Sequence, residues 1–408
     1  MLWRYMAGAA GARTGDDMSG PALLVVGLAV SGSPAVAGWL LAGLTVSASV
    51  GGPVLGVLLD RSRRPGRLLA WCLAGYSGGL MLILGLLGRA PDGLVIALAV
   101  LAGLLGPALS GGWTAQIPLA VPAGLLSRAT ALDSISYNVA ALLGPALAGL
   151  VATLGGGSWP VIVAAALIAA SLPIALTLPA RHGDGTSAAG GPSIAAELAA
   201  GMRAITGSVP LRRATATSMV SMAGIAMLVV CTPLLGERLA GGAGHGTLLL
   251  AVTAATALAA NAVLARLAPA VRPTGGWWPD GALVWATALL GAGIGLTALA
   301  DGVALAVAGA AIAGVGEGPQ LTALFTVRHR DAPARLRSQI FTTGASLKIT
   351  SFAAGSAVAG PLAGYSVPLA LLAGAGLQAV AVLVYWGLSP RRSRTGEISA
   401  PRADGTAR

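Results

Sequence analysis

The chain has 408 residues, of which 55% are apolar and 10% charged, and its mean hydropathy is +0.81. A soluble domain carries about 25% charged residues, so this chain lacks the polar groups to cover a globular surface. That composition argues against a soluble enzyme, a disordered protein and a nucleic-acid-binding domain. The net charge of +11 has its origin in the loops.

A membrane helix needs about 20 mostly apolar residues. Twelve such segments are predicted at 6–31, 35–59, 67–88, 93–120, 130–154, 158–179, 211–235, 246–267, 281–300, 302–326, 339–364 and 367–388. Arginines follow every second one. Arg61, Arg63, Arg64 and Arg67 follow segment 2, and Arg128 follows segment 4. Arg181, Arg203, Arg212 and Arg213 lie between segments 6 and 7, Arg266 and Arg272 after segment 8, and Arg328, Arg330, Arg335 and Arg337 after segment 10. Arg391, Arg392 and Arg394 follow segment 12, whereas the opposite loops offer only Arg89 and Arg238. By the positive-inside rule both termini are predicted cytoplasmic. Arginine-rich, glycine-rich usage suggests a high-GC bacterial genome, so the expected location is a bacterial cytoplasmic membrane, crossed many times. No secretory signal is visible, the first segment following without a convincing cleavage site.

The predicted organisation is a six-helix bundle over 1–179, a cytoplasmic linker over 180–210, a second six-helix bundle over 211–388 and a cytoplasmic tail over 389–408. Within the linker, Ile194, Leu198, Met202 and Ile205 share one helical face, which suits a short amphipathic helix on the inner membrane surface. The halves repeat each other. GPALSG at Gly106–Pro107 matches GPQLTA at Gly318–Pro319, PAGLLSR at Pro122 matches PARLRSQ at Pro333, and GPALAG at Gly144–Gly149 matches GPLAG at Gly360–Gly364. Three pairs in one order at nearly one offset point to parallel repeats, an arrangement of one transporter class. Gly144, Pro145, Gly149, Gly360, Pro361 and Gly364 read as a packing device, bending helices and admitting close neighbours.

Two cysteines, Cys72 and Cys231, lie in apolar runs, and the three histidines are far apart in sequence, so no metal site or metal cofactor is expected. No GxxxxGK(S/T) loop is present, which leaves ATP-driven pumping by this chain unsupported. An integral membrane enzyme would need clustered His, Asp or Ser at a membrane face, and none is found.

Charges inside the apolar segments are costly and usually face a cavity. Arg13, Asp16 and Asp17 fall in segment 1, and the i,i+3 and i,i+4 spacings allow Arg13 to meet either acid. The acid left over would be free to take up and release a proton. Glu317 lies between glycines in segment 10. Lys348, the only lysine, lies in segment 11, and Asp133 in segment 5 stands level with it by the repeat, with Arg128 as an alternative partner.

The stretch after segment 2, GVLLDRSRRPGR, resembles the cytoplasmic signature G-x-L-a-D-R-x-G-R-K of the major facilitator superfamily. Gly56, Asp60, Arg61 and Arg64 fit it; Arg63 and Pro65 depart from it. The resemblance extends over essentially the whole chain and implies an all-α membrane protein with twelve transmembrane helices in two parallel-repeat bundles. It implies that Gly56, Asp60, Arg61 and Arg64 form a conformational gate between the halves. GPALAGL resembles the G-P-x-x-G-G motif of proton-coupled drug antiporters, with Ala148 for one Gly. The family's R-x-x-x-Q-G motif of helix 4 is absent: SGGWTAQ holds Gln116 without the Arg. Family architecture, in which helices 1, 4, 7 and 10 line a central cavity and 2, 5, 8 and 11 flank it, nominates Trp113, Gln116, Ser134, Tyr137, Asn138, Thr217, Ser221 and Gln320 as substrate-cavity residues.

The expected function is secondary active transport by alternating access. It is drawn as proton-coupled export of a small amphipathic compound such as a drug or natural product, with Asp16, Asp17 and Glu317 carrying the protons. The driving force would be the proton gradient, with no bound cofactor. The expected partners are lipid, the substrate and protons, with no nucleic acid, and the unit a monomer. Uptake of a small polar metabolite by the same fold is the alternative.

Overall fold

The computed structural model describes residues 2–122, 126–180, 194–267, 278–333 and 336–389. These are helical, with no strand among them. The N-terminal half holds α1 (Leu2–Ser31), α2 (Pro34–Val46), α3 (Ala48–Arg61), α4 (Pro65–Leu86), α5 (Asp92–Gly103), a π-helical turn (Ala108–Gly112), α6 (Ile117–Ala120), α7 (Leu126–Gly155) and α8 (Trp159–Leu176). Between the halves lies α9 (Ile194–Gly207). The C-terminal half holds α10 (Val209–Ala240), α11 (Ala243–Leu267), α12 (Trp278–Ala298), α13 (Val303–Asp331), α14 (Arg337–Tyr365) and α15 (Val367–Gly387).

The twelve predicted segments correspond to these helices, with two differences. Segment 2 is split at Ser47 into α2 and α3. Segment 4 is not one helix: α5 gives way to the π-helical turn and then to α6. The cause is local, since Pro107 and Pro118 lack the N–H that a continuous helix needs and Gly111 and Gly112 weaken it between them. Helix starts follow ordinary capping chemistry. Ser33 and Ser366 each accept from a backbone N–H three residues on, with proline at the first helical turn.

Nine spans among the described residues are long and apolar enough to cross a membrane. The remaining three crossings are α1, α13 and α14, which carry Asp16 and Asp17, Glu317, and Lys348. The twelve helices form two six-helix bundles. A core including Tyr5, Met18, Leu73 and Ile168 fills the N-terminal bundle, and one including Leu228, Leu290, Ile294 and Leu371 fills the C-terminal one.

The bundles meet where α2 packs on α14 and α7 on α11. Both contacts are tightest at the arginine-poor ends. A Cβ on Gly38 would lie 2.8 Å from the Ser356 carbonyl oxygen, and one on Gly149 would lie 2.7 Å from that of Gly244. Trp39 Nε1 donates to the Ala357 carbonyl at 3.1 Å. A third apolar cluster joins Leu24, Leu28, Ala37 and Leu41 to Met227, Val230 and Ala359 at the same level. In α9, Ile205 is buried with Leu211, Ala332 and Ile340, while Met202 stays exposed. The side chains of Ile194 and Leu198 lie outside the described residues.

Candidate functional site

A cavity of about 1060 Å³ lies between the bundles. Its wall includes Leu55, Gly56 and Leu59 of α3, Leu258 and Asn261 of α11, Leu321 of α13 and Ala345 of α14. These positions lie toward the arginine-rich ends of their helices, so the cavity faces that side and is sealed from the other by the α2–α14 and α7–α11 contacts.

Asp16, Asp17 and Glu317 are all on this wall. Asp16 lies close to the Tyr76 hydroxyl, which is 2.8 Å from the Ser19 hydroxyl. Asp17 is exposed to the cavity, and neither acid has an ion-pair partner among the described residues. Gly144 makes their placement possible. A Cβ there would lie 2.7 Å from Asp17 Cβ and 2.8 Å from Met18 N, so only glycine lets α7 reach α1 at the acidic pair. Pro145, next to it, is on the cavity wall.

Arg13 does not pair with Asp16 or Asp17, as their spacing had allowed. Its Nη1 lies 2.9 Å from Asp133 Oδ1 of α7, with both side chains buried. Asp133 is therefore matched with Arg13 and not with Lys348; the side chain of Arg128 lies outside the described residues. Helix spacing decides which side chains share a face, but a neighbouring helix decides which of them meet. The Tyr5 hydroxyl donates to Asp133 Oδ1 at 3.1 Å and the Thr114 hydroxyl to Oδ2 at 2.8 Å. The Tyr137 ring stacks 3.8 Å from the Arg13 guanidinium carbon.

Six of the eight expected substrate-cavity residues are placed elsewhere. Trp113 and Gln116 are fully buried within the N-terminal bundle, Trp113 standing edge-on to Tyr5. Tyr137 stacks on Arg13 instead of facing the cavity. Thr217 and Ser221 are buried, and Gln320 Nε2 donates to Ser221 Oγ at 2.9 Å and Thr287 Oγ1 at 2.7 Å. None of these six is on the wall. Segment-level reasoning missed them because the break after α5 changes the facing of Trp113 and Gln116, and because Gln320 satisfies its polar head inside its own bundle. The side chains of Ser134 and Asn138 lie outside the described residues.

The wall instead presents Tyr76, Ser110, Thr253, Asn261, Ser346 and Phe352. A usable signal was present: the repeated Gly-Pro pairs mark it, since Gly106, Pro107 and Gly318 all line the cavity. Of the expected gate, Gly56 lines the cavity and Arg64 is exposed at the start of α4. The side chains of Asp60 and Arg61 lie outside the described residues. In the other half of the repeat, Gly360 seats α2, a Cβ there lying 2.9 Å from Ala35 Cα, whereas Gly364 has its nearest neighbour, Pro34, at 3.8 Å. Pro361 sits within α14.

The C-terminal bundle keeps its main ion cluster at the arginine-rich end. Asp280 is bonded by Arg213, by Arg330 Nη1 at 2.7 Å and by the Tyr385 hydroxyl at 2.8 Å. Glu317 has no contact ion pair among the described residues, but Lys348 is near enough for their charges to interact.

A sequence model of the Major Facilitator Superfamily matches residues 5–347. The chain belongs to the major facilitator superfamily. It is a multi-pass membrane transporter, not an enzyme. An uncharacterized MFS-type transporter, y4rN, of Sinorhizobium fredii (strain NBRC 101917 / NGR234) is 33% identical over 162 residues, a match covering 37% of this chain and 38% of that protein's length. Among solved structures, the nucleoside transporter NupG superposes with a TM-score of 0.73 at 13% identity, covering 95% of this chain and 98% of that one. A bacterial homologue of the iron transporter ferroportin, in an inward-facing state, gives 0.72 at 14% identity, covering 96% and 98%. The POT family transporter PepTSo gives 0.70 at 12%, covering 95% and 97%. At these identities the likeness shows the fold alone.

Proposed function

We propose that the chain is a proton-coupled exporter of a small amphipathic compound in a bacterial cytoplasmic membrane, working as a monomer with both termini in the cytoplasm. The observation that carries this reading is that Asp16, Asp17 and Glu317, from two helices in different bundles, share the wall of one cavity with Leu55, Leu228, Leu258 and Phe352. An apolar cavity with a few polar anchors suits an amphipathic molecule. Acids inside a membrane protein mark ion or substrate pathways.

The positive-inside rule makes the arginine-rich side cytoplasmic, so the cavity is drawn as inward-facing and loads from the cytoplasm. Substrate bound between the bundles is carried outward as they rock about the midplane. Protons then occupy the carboxylates on the outer side and are released inside. The cycle runs only because substrate and protons differ in affinity for the two states. Pro145 and Gly144, beside Asp17, link the acidic pair to α7, which contacts α11 across the bundle interface. Asp60, Arg61 and Arg64 are assigned to the cytoplasmic gate that closes when the cavity turns outward.

The test is a growth-inhibition panel in cells lacking their own efflux pumps. The protein, or its Asp16→Asn/Asp17→Asn variant at equal membrane abundance, is expressed against chemically diverse antibiotics and cationic dyes. Resistance that the variant loses supports the reading. Absence of resistance with the protein in the membrane counts against export and favours uptake of a polar metabolite, then followed by its accumulation.

A further inference from the structure

The charged residues of the cavity wall all have one sign. They are Asp16, Asp17 and Glu317, with no Arg, Lys or His among the described lining residues, in a chain of net charge +11. The cation closest along the chain is Arg13, one helical turn from Asp17 at the i,i+4 spacing that pairs side chains. Its guanidinium is instead turned to α7. Besides the 2.9 Å approach to Asp133 Oδ1, Nη1 donates to the Asp133 carbonyl at 3.2 Å and to the Ser136 hydroxyl. Nη2 donates to Thr114 Oγ1 at 2.9 Å. Neither Arg13 nor Asp133 is on the cavity wall.

We infer that Asp133 is a positioning residue: by holding Arg13 against α7 it keeps Arg13 from closing a contact ion pair with Asp16 or Asp17, and the site so formed takes an organic cation. This rests on the cavity being the transport site. A buried guanidinium deprived of its acid is strongly disfavoured where it stands. With Asp133 neutralised, the acid next available on its own helix is Asp17. Arg13 then turns to Asp17 and occupies the place of the ligand. Neutralising Arg13 as well removes that competitor, although the Arg13–Asp133 bridge stays broken.

The experiment is binding of tetraphenylphosphonium to the purified full-length protein, with tetraphenylborate as an anion of the same shape. Wild type is expected to bind the cation and prefer it to the anion. Asp133→Asn is expected to weaken cation binding by about tenfold or more, and Arg13→Gln/Asp133→Asn to bring it back to within about threefold of wild type, tenfold being 1.4 kcal/mol. A purely structural bridge would leave the single and double variants equally impaired. Wild-type binding by Asp133→Asn, or a folded double variant as weak as the single one, overturns the positioning role. If Asp133→Asn does not fold, the double variant decides by itself: failure to bind while folded overturns the proposal. Equal or better binding of the borate, or of neither probe, by folded wild type overturns the cation preference. Resistance in the growth panel to an uncharged compound would then leave the export reading standing.

Discussion

The two bundles share a chain path but use their charges differently. In the N-terminal bundle an ion pair, Arg13–Asp133, is buried beside the cavity, and the two acids that face the cavity have no contact ion pair among the described residues, Asp17 feeling only an Arg13 already bound to Asp133. In the C-terminal bundle the ion cluster around Asp280 sits at the arginine-rich end, and the one acid on the wall, Glu317, lies in the field of Lys348. A parallel repeat therefore supplies two similar scaffolds and leaves charge placement to individual residues. On the proposed reading the N-terminal bundle is the pole at which ligand and proton act, while the C-terminal cluster ties helix ends together.

The contrast can be broken most severely at Asp280. Asp280→Ala takes the carboxylate from Arg213 while Arg330 keeps Asp331; the cluster is partly exposed, so the cost should be about 3 kcal/mol, the low end for a buried pair. Thermal unfolding in detergent should show a large loss of stability. A variant as stable as wild type would deny the cluster its tying role. Next in size is Gly144→Val, whose Cβ collides with the Asp17 segment; overpacking of this kind costs about 1–3 kcal/mol, and transport should fall sharply. By contrast, Gly364→Ala, at the end of the matching motif in the other half, meets only ordinary contacts, and its transport and stability should stay at wild-type level.

Asp17→Asn and Glu317→Gln sharpen the comparison directly. Both should fold, but Asp17→Asn should weaken cation binding by about tenfold, or 1.4 kcal/mol, and Glu317→Gln by less, because Lys348 offsets that charge whereas the Arg13 charge near Asp17 is shared with Asp133. A reversed order would move the pole to the C-terminal bundle. The smallest effect belongs to Trp39→Phe, which deletes the hydrogen bond to Ala357 across the arginine-poor seal. It is worth about 1 kcal/mol and should shift crosslinking between α2 and α14 toward the state open on that side.

The helices were legible because membrane segments must be long and apolar. The three wall acids were legible for the same reason: a carboxylate in an apolar segment needs a place to go. The polar lining was not. Trp113 and Gln116 depend on a helix break that rotates them inward, Gln320 on partners from two other helices, and the Arg13–Asp133 pair on the crossing of α1 and α7. Each is a tertiary choice among local options, and the spacing of Arg13 to Asp17 allowed a pairing that α7 pre-empts. Only the Gly-Pro repeats carried a local signal of the wall.

The most direct test of the account is tetraphenylphosphonium flux in proteoliposomes under an imposed pH gradient, comparing wild type with Asp16→Asn/Asp17→Asn at equal reconstituted amount. The account predicts flux that follows the gradient, collapses when the gradient is dissipated, and is lost in the variant. Gradient-driven flux undiminished in the variant would contradict it.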